Sequence, residues 1–154
     1  MTPETPQGTN PPSDLELTIG PAAHGGHFVA RHEGRVVFVR HGLPGERVRA
    51  RLTDAGEKAK FWRADVVEVL EPSAARVPHF WAPADALKAA SRGRLPVGGA
   101  EFGHIELAEQ RRLKAGIFAE QLRRLGGVDR EVTVEAAADE SPDGLGWRTR
   151  ASFS

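Results

Sequence analysis

Six arginines and two acids fall within "RHEGRVVFVRHGLPGERVRARL", residues 31–52 of the chain. Its last part, "ERVRARL", alternates without error. Arg47, Arg49 and Arg51 take one side, and Val48, Ala50 and Leu52 take the other. On a β-strand, residues two apart share a face and stand roughly 6.7 Å apart. The spacing therefore predicts a row of three guanidinium groups. Each is a planar, permanently charged fork that suits phosphate oxygens. Arg31, Arg35 and Arg40 lie on the preceding hairpin and widen the row into a patch. The chemistry such a patch offers is polyanion binding, nucleic acid above all. The same pattern also describes a solvated strand face whose arginines pair with Glu46, Glu57 and Glu68.

Two further groupings lie close by. Phe61 and Trp62 adjoin Lys58, Lys60 and Arg63, and a base stacks well on a ring beside a cation. Alternation turns one of the two rings inward. Trp62 shares its side with Ala64 and Val66 and is expected in the core, so Phe61 faces out as the stacking candidate. His24, His27, His32 and His41 fall within eighteen residues, but their spacing matches no metal-site pattern. They read as loop histidines.

The net charge of zero conceals an uneven distribution. Residues 24–63 hold nine Lys/Arg against four Asp/Glu, whereas residues 1–23 and 126–154 are each net acidic by three. A basic block between acidic flanks says more about partners than the total does. With no cysteine among 154 residues, disulfides, thiolate metal sites and cysteine nucleophiles are excluded within this chain. That composition suits a reducing cytoplasm, where the protein is expected. The sequence shows no secretory h-region and no apolar run of membrane-spanning length.

The elements that position these residues are short. Residues 1–13, rich in Pro, Thr and Ser, read as a disordered tail. Residues 14–71 read as all-β. "DLELTIG" alternates, "HFVARH" and "RVVFV" flank a Glu33-Gly34 turn, and "ERVRARL" and "FWRADVVEVLE" follow. The continuously apolar "RVVFV" predicts a strand covered on both sides. Five strands with glycines at the corners predict a small OB-like barrel. Prolines and Gly98-Gly99 make residues 72–105 an irregular linker, in which Phe80 and Trp81 are expected to pin the chain against a neighbouring surface. Residues 106–125 predict a helix with Leu107, Leu113, Ile117, Phe118, Leu122 and Leu125 on one stripe, stopped at Gly126-Gly127. Strands are expected at "REVTVEAA" and "GWRTRASFS". The second ends at Ser154 with no turn or cap, which predicts a piece of a longer protein. The fold class expected is mainly β with one long helix, a five-stranded barrel followed by an incomplete α+β segment over residues 106–154.

"TIGPAAHGGHFVARHEGRVVFVRHGLPGERVRARL", followed by "AKFWRADVVEVLEPSAARV", resembles the TRAM domain, a small RNA-binding barrel. "GRVVFVRHGLPGERV" carries most of the likeness. "GGAEFGHIELAEQRRLKAGIFAEQLRRLGGV" and "LGWRTRASFS" resemble the segments that follow that barrel in class I S-adenosylmethionine-dependent RNA uracil-5 methyltransferases. The resemblance implies RNA, rRNA or tRNA, as partner, and Arg31, Arg35, Arg40, Arg47, Arg49, Arg51, Lys58, Lys60, Phe61 and Arg63 as the contacting set. It implies S-adenosylmethionine as cofactor of a full-length enzyme. Many members of that family hold an iron–sulfur cluster through a Cys-Gly-Gly-Cys core, where this chain has Val97-Gly98-Gly99-Ala100, so no cluster is expected. The family's cysteine nucleophile and Gly-rich methyl-donor motif are also missing, so the chain alone is expected to be inactive. The alternatives are a stand-alone RNA-binding module and a barrel that pairs with an acidic protein.

Overall fold

The computed structural model describes residues 13–152. All of the expected tail but Ser13, and the last two residues of the expected C-terminal strand, lie outside that range. Six strands form first: β1 (Asp14–Thr18), β2 (Ala22–Ala23), β3 (His27–His32), β4 (Arg35–Arg40), β5 (Arg47–Asp54) and β6 (Phe61–Glu71). A 3₁₀ turn (Ala82–Ala84), α1 (Ala86–Ser91) and α2 (Leu107–Gly126) follow. The sheet order is β1-β5-β6-β4-β3-β2, antiparallel throughout except for the β4–β6 pair.

One bent segment closes this sheet on itself. β1 pairs with β5, and its continuation pairs with β3 through Gly20 N to Val29 O (2.8 Å) and Val29 N to Pro21 O (2.9 Å). The bend needs a glycine. A Cβ on Gly20 would stand 2.5 Å from the Val29 carbonyl oxygen. The Glu33-Gly34 hairpin has both central residues at positive φ, +48° and +81°, the pattern whose twist matches two antiparallel strands.

Alternation then sorts the side chains. Leu15, Leu17, Phe28, Ala30, Val37, Val39, Val48, Ala50, Ala64 and Val66 point in and are buried. Trp62 takes the core side as expected and packs against the core cluster, but it is only half-buried, at the barrel end, where its indole N–H donates to Gly56 O at 3.2 Å. That donor needs an acceptor, and the closed core offers none. β4 also departs from expectation. Val37 and Val39 are buried, but Val36 and Phe38 lie half-exposed on the outer face.

Residues 72–105 wrap one end of the barrel. An antiparallel bridge pairs Arg76 with Ile105, and α1 lies against β6. Helix α2 starts and stops as the sequence predicts, with Gly127 capping it in the left-handed conformation (φ 63°). Of its expected apolar stripe only Leu113 is buried, while Phe118 and Leu125 stay exposed. The strands expected after it are absent among the described residues, where 128–152 have no regular structure. A strand needs a neighbour for its backbone groups, and these residues pair with no strand among the described ones; the segment instead touches α2, where Arg111 meets Glu140 at 2.6 Å.

Candidate nucleic-acid interface

The barrel's outer face divides into two walls of different chemistry. On the first, formed by β1, β5 and the distal half of β6, Arg47, Arg49 and Arg51 do share one side, as their spacing predicts. Each is met by a carboxylate. Arg47 donates to Glu71 through Nε (3.0 Å) and Nη2 (2.8 Å) and lies 3.5 Å from Glu16. Arg49 pairs with Glu68 and reaches Glu16 at 3.9 Å. Arg51 forms a fork with Asp14 at 2.8 and 3.0 Å. The register causes this, because Glu16 and Glu68 flank Arg49 across the sheet and Asp14 stands opposite Arg51. The hydrogen bond from Arg51 holds the Asp14 carboxyl below its usual range. Three arginines against four carboxylates leave this wall without an unpaired arginine among the described residues.

The second wall, on β3, β4 and the proximal half of β6, is different. Pairing sets its outward residues in cross-strand rows: Arg31, Val36 and Phe61; then Val29, Phe38 and Arg63; then His27, Arg40 and Asp65. Phe38 and Phe61 meet edge to face with centroids 5.2 Å apart, and His27 meets Phe38 at 6.2 Å. The Arg63 guanidinium lies 5.6 Å from the Phe61 ring and 3.4 Å from His27 Nε2. Burial, then the nearby Arg63 and Arg40 charges, pushes the His27 pKa down, which keeps it a neutral ring near pH 7. Phe61 faces out as expected and is 40% exposed.

Further cations lie on this wall or beside it. Arg35 lies 4.5 Å over Trp62, at the barrel end, and donates to the Gly56 and Glu57 carbonyls. Arg31 contacts only Gly34 O among the described residues. Lys58 and Lys60 stand exposed on the loop leading into Phe61. Among the described residues none of Arg31, Arg35, Lys58, Lys60 and Arg63 sits in an ion pair, whereas Arg40 is bound at 2.8 Å to both oxygens of Asp65. The ten expected contact residues are therefore split. Arg47, Arg49, Arg51 and Arg40 are engaged by carboxylates; Arg31, Phe61 and Arg63 lie in the second wall's rows, Arg35 sits over Trp62 at the barrel end, and Lys58 and Lys60 are exposed in the loop before Phe61.

Sequence reasoning missed Phe38 and His27 as members of this wall. The signal was Phe38's parity with Val36 and Arg40, hidden because "RVVFV" reads as apolar on both faces. It also missed what the Leu43-Pro44-Gly45-Glu46 loop does. Glu46 is fully buried rather than paired to the arginine row. It accepts from Leu43 N, Ser73 N and the Arg76 guanidinium, the last at 2.7 Å on each oxygen, while Arg76 also donates to His41 O. Next to this knot, His104 bonds Gly42 O at 2.8 Å and packs on His41. Burial lowers the His41 pKa to about 4 and that of His104 to about 3. The four N-terminal histidines thus lie in different surroundings: His24 exposed, His27 on the second wall, His32 stacked on Trp62 and His41 buried. In the linker, Phe80 stacks on His79 at 5.1 Å but is 56% exposed.

Residues 13–67 match the TRAM domain family. Over 150 residues the chain is 45% identical to a Streptomyces coelicolor protein named an uncharacterized RNA methyltransferase, covering 92% of this chain and 31% of that protein. A Streptomyces avermitilis protein of the same description is also 45% identical, covering 92% of this chain and 33% of the relative. The 23S rRNA (uracil(1939)-C(5))-methyltransferase of Alkalilimnicola ehrlichii is 33% identical over 125 residues, 79% of this chain and 24% of the relative. The chain thus spans about a third or less of the length of these relatives.

Proposed function

With residues 13–67 a TRAM domain and most of the chain homologous to proteins named RNA methyltransferases, we propose that this barrel holds RNA for a uracil-5 methyltransferase. The observation that carries this reading is the contrast between the two walls. Arg31, Arg35, Lys58, Lys60 and Arg63, on or beside the wall that carries Phe38 and Phe61, make no ion pair among the described residues, whereas Arg47, Arg49 and Arg51 on the other wall are each met by a carboxylate. RNA phosphates attract free cations at once but must displace a carboxylate to reach a paired one. Arg31, Arg35, Lys58, Lys60 and Arg63 therefore grip the backbone, and Arg47, Arg49 and Arg51 stay with their carboxylates.

The methyl transfer belongs to parts that these residues do not supply. Attack on uracil C6 calls for a thiolate, and the chain has no cysteine. S-adenosylmethionine would supply the methyl group, yet neither α1 nor α2 follows a strand through a Gly-rich turn, so no residue here is assigned to hold it. Val97 and Ala100 flank Gly98-Gly99 and offer no ligand to an iron–sulfur cluster. We place the catalytic part outside this chain and the target uridine in rRNA or tRNA, in a cytoplasmic setting.

A salt titration tests the binding role. With four or five phosphate contacts, log K against log salt for a single-stranded RNA should fall with a slope of about −3 to −4. A slope near zero, or no binding at low salt, removes the proposal.

A further inference from the structure

We propose that the recess between the second and third cross-strand rows of the second wall takes one unstacked base of a single-stranded RNA. This rests on the reading above and goes beyond it, because phosphate contacts alone need no recess. The recess is bounded by His27, Phe38, Arg40, Thr53, Arg63 and Asp65, with a volume of about 280 Å³. That is just under the ~300–1,000 Å³ of most small-molecule sites, a scale suited to one planar ring system. The Phe38 ring on its wall is extended by Phe61, whose edge-to-face contact fixes both rings before anything binds. A prefixed ring loses little entropy when a base stacks on it.

The polar lining is mostly donor. Arg40 binds Asp65 through Nε and Nη2, and its Nη1 makes no hydrogen bond among the described residues. Arg63 makes one long side-chain contact, to His27, and its guanidinium stands 5.6 Å from the Phe61 ring. Asp65 is neutralised by Arg40 on both oxygens. The occupant must therefore bring acceptors on a flat frame, which the carbonyl and ring-nitrogen edges of a nucleobase do. Arg31 in the first row, with Lys58 and Lys60 in the loop that leads into Phe61, supplies the charge that would draw the flanking phosphates. An acidic protein segment would satisfy the cations but would leave the rings unused.

The test uses the full chain and a short oligoribonucleotide carrying 2-aminopurine at one position, whose fluorescence reports stacking, beside a duplex of the same sequence. Single strand should bind more tightly than duplex. Phe61→Leu and Phe38→Leu should each weaken single-strand binding by about five- to fifty-fold, abolish the fluorescence change and leave the salt slope unaltered. Phe61→Trp, which keeps a stacking surface, should retain affinity. If both leucine variants bind like the unmodified chain while Lys58→Gln/Lys60→Gln binds weakly, the recess is overturned and the phosphate reading stands. If Phe61→Trp loses as much as Phe61→Leu, the ring acts structurally and the recess is again overturned. If the unmodified chain binds neither RNA, both readings fall.

Discussion

Glu46 and Arg76 show how much one buried pair can organise. The carboxylate is fully buried and collects donors from its own loop, from Ser73 and from Arg76. The result is a tie between the barrel and residues 72–105. Removing one partner of such a pair leaves an uncompensated charge in the interior. Arg76→Met should lower stability by about 3–5 kcal/mol, seen as an earlier urea midpoint; an unchanged midpoint would show that the tie carries no weight. His41 and His104 add a pH dependence of definite sign. Both have folded pKa values depressed by burial, to about 4 and about 3, below an unfolded value near 6.5. Between these limits the unfolded chain binds protons that the folded chain does not. Stability is full above about pH 6.5 and falls on acidification towards pH 4, by about 2 kcal/mol per histidine at pH 5. Urea midpoints at pH 7 and pH 5 read this directly. His104→Phe should flatten the profile, and an equal slope in that variant would refute the assignment.

The strands illustrate which levels of structure a sequence discloses. Perfect alternation in "ERVRARL" fixed which side each arginine takes, and the Glu33-Gly34 turn announced its hairpin. What alternation could not disclose was register. Whether Arg51 faces Asp14 or open solvent depends on how β1 slides against β5. That choice made the difference between a free cation row and a lattice of ion pairs. "RVVFV" misled for a related reason: an apolar outer face on a barrel strand can serve packing or binding, and composition is the same for both. The closing bend at Gly20 gives a test at this scale. Gly20→Ala would set its Cβ 2.5 Å from Val29 O, forcing the β1–β3 pairing apart. A destabilisation of about 1–3 kcal/mol is expected, with amide exchange quickening at Gly20 and Val29 and not in β6. Uniform quickening would contradict a local role.

At the scale of the whole molecule the chain holds one closed barrel, a wrapped connecting segment and a helix whose apolar side is only partly used. Phe118, Leu125, Val128 and Trp147 remain exposed. The strands expected at residues 130–137 and 146–154 were legible as patterns but did not form in residues 128–152, because alternation describes a half-buried strand and cannot provide the neighbour that buries it. The barrel, by contrast, satisfies its own backbone and core. Its surface charge is partitioned although the chain is neutral overall, and the proposed function stands on that partition. The most direct measurement compares two charge-neutralised variants in RNA binding over a range of salt. One replaces Arg31, Lys58, Lys60 and Arg63 with Gln; the other replaces Arg47, Arg49 and Arg51 with Gln. The account predicts that the first loses most of its affinity and about 3 units of salt slope, while the second keeps nearly the slope of the unmodified chain. A second variant that loses its slope while the first retains it would contradict the account.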